Sequence, residues 1–171
     1  GGEAGRGGQA GRMRIACVSV VGRTNEPLFM RVYASEEAPF DALNPGSEQD
    51  ALRFHYMIHA SLDVVDEKHR PPRTESSPAP TKTSMFLGYL CPVDEFHLYG
   101  YVTNTHNKLI VALEDQAGTG GGIADMTGLF KRIHDLLIKQ ALNPFAPLGK
   151  VVASTNFQNG IDKLVQEAGA R

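Results

Sequence analysis

His55, His59 and Asp63 follow one another at intervals of four residues. On a helix that spacing makes one ridge, with two imidazoles and a carboxylate on the same side. Such a donor set suits zinc or a similar ion. The zincin pattern, however, needs Glu directly after the first His, and Tyr56 stands there. No second cluster of ligands is visible to complete a coordination sphere. A solvated or interfacial polar face needs no metal and is the reading adopted. Asp66 and Glu67 crowd the same end of the segment. Carboxylates near a helix C-terminus oppose the macrodipole by about 0.3–1 kcal/mol each when exposed, and Lys68, His69 and Arg70 offset part of that. The group is either an ordinary charged helix end or an acidic patch aimed at a partner protein or at a backbone donor in a neighbouring loop. His55, His59, Asp63, Asp66 and Glu67 are therefore the candidate partner interface. No metal or other cofactor is expected.

Other chemical signals are weaker. Gly118 to Gly122 (GTGGG) precedes a helix, but Ile123-Ala124 supplies neither the lysine nor the hydroxyl of a phosphate loop, so a flexible connection is expected. Phe86, Tyr89, Tyr99 and Tyr101 could stack on single-stranded RNA. No Lys or Arg lies between Ser84 and Asn107 to follow a phosphate backbone, so these rings read as sheet core beneath a helix. There is no Gly-x-Ser-x-Gly elbow. Cys17 and Cys91 sit in apolar sequence, outside any CxxC pair, and read as buried thiols. No enzymatic activity is expected.

The elements that must position these residues follow from periodicity. The chain has 171 residues, a net charge of −2 and 42% apolar residues, which suits one domain with a full core. Near-neutral charge argues against a nucleic-acid partner, and no polybasic run or long apolar segment points to membrane insertion. Residues 1–12 (GGEAGRGGQAGR) bury nothing and read as a disordered tail or remnant ahead of a single domain at 13–171. Loop insertions are expected near 35–47 and 70–84, where Pro, Ser and polar residues gather. No apolar h-region is present near the start to make a signal peptide.

Ile15 to Val21 and Leu28 to Tyr33 read as strands. Glu48 to Lys68 reads as an amphipathic helix with Phe54, Ile58, Leu62 and Val65 on one stripe. Strands over Phe86 to Cys91, Phe96 to Thr103 and Lys108 to Leu113 are joined by hairpin-sized turns. A second helix, Ile123 to Leu142, carries Met126, Leu129, Phe130, Ile133, Leu137 and Ala141, and ends at Asn143-Pro144. The last helix carries Phe157, Ile161, Leu164, Val165 and Ala168, capped by Ser154 or Thr155. The order is ββαβββαα. Several strands are apolar on both faces, so both need cover. The economical arrangement is an α+β fold: a five-stranded, mainly antiparallel sheet with one helix on one face and two on the other.

That order is similar to the longin, or SNARE-like, topology. Phe54 to Lys68 (FHYMIHASLDVVDEK), Leu98 to Asn104 (LYGYVTN) and Leu129 to His134 (LFKRIH) with Asn143-Pro144-Phe145 resemble the sedlin family of TRAPP vesicle-tethering subunits. The first two segments favour its 2-like branch over sedlin itself. The resemblance implies a non-catalytic assembly subunit of a tethering complex that exchanges nucleotide on Rab-type GTPases. It implies other TRAPP subunits as direct partners, a Rab-type GTPase as an indirect one, and a cytoplasmic place on ER–Golgi and Golgi membranes. The alternatives are another longin module, such as an adaptor small chain or a SNARE, and a small metal enzyme built on the histidine ridge.

Overall fold

The structure, a computed structural model, describes residues 14–33, 48–70, 84–114, 123–147 and 149–170. The expected tail, both insertions save for residues 70 and 84, and the glycine run 118–122 lie outside the described residues.

The elements are β1 (Ile15–Val21), β2 (Pro27–Val32), α1 (Glu48–His69), β3 (Phe86–Val93), β4 (Phe96–Val102), β5 (Lys108–Glu114), α2 (Ile123–Ala141) and α3 (Thr155–Ala170). The strands form one sheet in the order β2-β1-β5-β4-β3. All four pairings are antiparallel. The turns between paired neighbours place Asn25, Asp94 and His106 at positive φ. Those three residue types enter the left-handed region at least cost after glycine.

Side-chain alternation sends β1, β4 and β5 into two cores. Val18, Val20, Tyr101, Leu109 and Val111 pack with Met126, Phe130 and Ile133 of α2 and with Phe157 and Ile161 of α3. Ala16, Cys17, Leu98, Val102 and Ile110 pack with Phe54, Met57, Ile58, Leu62 and Val65 of α1. Consecutive Ala16 and Cys17 share a face because the β1–β5 register shifts between Ile15 and Cys17. The sheet thus lies between one helix and two. Gly160 lets α3 approach α2 closely, since a Cβ there would lie 2.9 Å from the Leu136 side chain. The Ser154 hydroxyl accepts from Phe157 N–H at 3.4 Å, which selects Ser154 as the α3 cap.

Three expectations about burial need correction. Ala141 is exposed, because the last turn of α2 runs past the sheet, as exposed Leu142 also shows. Tyr89 is 41% exposed rather than core. It sits on β3, an edge strand whose register shifts between Phe86 and Gly88 and again between Tyr89 and Cys91. Those shifts turn side chains out of the period-two pattern. For the same reason Cys91 is only half-buried, whereas Cys17 is buried.

Candidate functional site

The helix α1 has two unlike faces. Its inner stripe is sealed against the sheet, and buried Ser61 removes its own cost by donating its hydroxyl to the Ile58 carbonyl at 2.7 Å. Its outer ridge runs through Leu52, Tyr56, His59, Asp63 and Glu67, all exposed. His55 lies half-buried beside it, and the His55 and His59 rings stack with centroids 6.2 Å apart. Asp63 forms no ion pair or hydrogen bond among the described residues. No cluster of three or more His, Cys, Asp or Glu placed to hold a metal occurs among the described residues. Tyr56 and Leu52, outside the expected interface set, are 74% and 71% exposed on this ridge. The signal was present in their spacing of four, out of phase with the buried stripe.

Asp66 is arranged differently from Asp63. Its Oδ1 lies 2.7 Å from Lys108 Nζ, and the Lys108 side chain is only 9% exposed. The same ammonium donates to Asn25 Oδ1 at 2.7 Å. One buried cation therefore ties the end of α1 to the β1–β2 turn and to the start of β5. Lys68 also bonds within the chain, donating its ammonium to the Tyr89 carbonyl. The acidic end of α1 divides into an internally engaged carboxylate, Asp66, and exposed ones, Asp63 and Glu67.

Two further polar clusters join the other layer. Tyr33 donates its hydroxyl to Asp162 Oδ1 at 2.7 Å. Arg31 Nε lies 2.9 Å from the same oxygen, without aiming its N–H at it, so that contact is ionic rather than a directed hydrogen bond. Burial first, and then the Asp162 bond, push the Tyr33 hydroxyl well above its usual range. Tyr101 stacks on Phe130 and its hydroxyl lies 3.1 Å from His134 Nδ1. Burial likewise pushes the Cys17 thiol far up, which leaves it a poor nucleophile. The Tyr33–Asp162 and Tyr101–His134 contacts tie α3 and α2 to the sheet.

A five-stranded antiparallel sheet with one helix on one face and two on the other is a longin-like α+β fold. The sequence profile of the family described as sedlin matches residues 20–167. The chain belongs to the sedlin family. It is 32% identical over 152 residues to the trafficking protein particle complex subunit 2-like protein of Dictyostelium discoideum, covering 89% of this chain and 96% of that one. The protein of the same name from Xenopus tropicalis is 29% identical over 152 residues, covering 89% and 97%. That from Bos taurus is 29% identical over 149 residues, covering 87% and 95%. No helix among the described residues is long and apolar enough to cross a membrane.

Proposed function

We propose that this chain is a subunit of a trafficking protein particle complex and joins its neighbours through the outer ridge of α1. The observation that carries the assignment is similarity to subunit 2-like proteins along nearly their whole length. The interface is argued from α1 itself. Leu52 and Tyr56 offer apolar and aromatic area, and Asp63 and Glu67 offer charge beside it. An aromatic anchor with charged residues at the rim is the usual composition of a protein contact. His59 lies between the two parts, and half-buried His55 stacks beside it.

In this reading the subunit performs no bond-breaking step. It helps to build a complex that tethers vesicles and promotes nucleotide exchange on a Rab-type GTPase at ER–Golgi and Golgi membranes. The GTPase is then an indirect partner, and membrane attachment is peripheral. Purification of the tagged full-length chain from cells, followed by mass spectrometry, tests the assignment. Stoichiometric recovery of other subunits of the complex is expected. Recovery of the chain without any of them would contradict it.

A further inference from the structure

At the end of α2 the chain makes a turn that the packing of the fold does not account for. The Ala146 N–H donates to the Asn143 carbonyl at 3.0 Å, closing a four-residue turn. Within it, the Phe145 N–H donates to the Asn143 side-chain oxygen at 3.1 Å. Pro144 presets φ at the second position. Asn143-Pro144 is enough to stop the helix, so any residue would serve at 145. The residue there is phenylalanine, and it is 92% exposed. A ring of that size held in water by a pre-formed turn contributes nothing to this chain's own core.

The turn's chemistry defines what would bind it. The Asn143 oxygen is already used by Phe145, so its two amide hydrogens remain for acceptors on a partner. Phe145 asks for an apolar pocket as deep as a phenyl ring. Leu142, also exposed, widens the apolar surface on the helix side. No Asp or Glu occurs from Leu136 to Ile161, while Lys139 and Lys150 are exposed within that stretch. An acidic surround is therefore the complementary one. A bilayer finds little here, since two lysines and one ring give only marginal attachment.

We propose that the Asn143–Ala146 turn is a recognition element, read by a partner protein that has an acid-rimmed phenyl pocket with carbonyl or carboxylate acceptors at its mouth. The turn follows α2, in the layer opposite α1, so it can be engaged while the α1 ridge is occupied. Its pre-formed shape lowers the ordering cost of binding.

The test is calorimetric titration of the full-length chain with a purified domain of the class that binds Asn-Pro-Phe turn peptides. Saturable, salt-sensitive binding is expected, and a free Asn-Pro-Phe peptide should compete for it. Phe145→Ala should weaken it by about tenfold or more, as truncation of an anchoring ring does, with an unchanged melting temperature. Asn143→Ala should weaken it too, and Lys139→Glu should reduce its salt dependence. Absence of binding, or equal binding by Phe145→Ala, would overturn the proposal. Sedimentation with phosphatidylserine vesicles that is lost in Phe145→Ala, without domain binding, would overturn it in favour of a bilayer.

Discussion

Asp66 neutralises a lysine ammonium that is almost wholly buried, while Asp63, less than one turn earlier on α1, reaches solvent. Asp66→Ala should therefore destabilise the isolated chain, by about 1–3 kcal/mol in urea unfolding, because among the described residues Lys108 then keeps only Asn25 as partner. The Asp66 side chain is 52% exposed, so water replaces part of what is lost and holds the cost near the lower end. Lys108→Met should cost less, since the charge it leaves unpaired, the Asp66 carboxylate, is half exposed and keeps its water. An Asp66 variant that falls out of a complex without losing stability would instead place this carboxylate at a contact. Cys17 gives a second prediction at this scale. A thiol in the unfolded chain ionises near 9.0, while burial holds the folded one protonated well above that. Stability from this group is complete below 9.0 and declines above it, by up to about 1.4 kcal/mol per pH unit. Cys17→Ala should reduce the pH dependence of unfolding between 9 and 10, where Tyr33, whose ordinary value is 10.0 and which burial also raises, adds a smaller slope of the same sign. An unchanged slope would mean that the thiol is not sealed. In native protein, iodoacetamide should label half-buried Cys91 well before Cys17.

The helices rest on aromatic anchors. Phe130 is fully buried, stacks on Tyr101 and touches Phe86, so Phe130→Ala should cost about 3–5 kcal/mol. A loss below about 1 kcal/mol in equilibrium unfolding would contradict the packing of α2 on the sheet. That ring was legible in the sequence, as was the stripe of Phe54, Ile58, Leu62 and Val65, because a period near 3.6 reports directly which helix face is buried. The strands were legible for a similar reason, and their ends differ from expectation by two residues at most. The exposure of Tyr89 was not legible. Register shifts on β3 arise from pairing with β4, and no local pattern encodes them. The Lys108–Asp66 tie was hidden because it joins residues remote in sequence, and a lysine reads as surface unless its partner is known. The exposure of Phe145 shows the opposite limit. It lies in a turn, where no helical or strand period says whether a ring faces in or out.

At the scale of the whole molecule, both faces of the sheet are covered, and outward-facing groups concentrate on α1 and beyond the end of α2. A small domain with a closed core and exposed anchors on opposite layers is suited to holding other proteins together. On the reading proposed above, this sedlin-family chain meets its neighbours through the outer ridge of α1. Asp63→Tyr tests it most directly, because it removes a carboxylate and adds a bulky ring on that ridge without touching the buried stripe. Circular dichroism and co-purification with other subunits of the trafficking protein particle complex should be measured on the same samples, beside Asp63→Asn. Both variants should keep a native spectrum and melting curve, with sharply reduced co-purification for Asp63→Tyr and a smaller loss for Asp63→Asn, which keeps the size and an acceptor. A folded Asp63→Tyr chain that recovers its partners normally would contradict the claim, and an unfolded one would make Asp63 a structural residue instead.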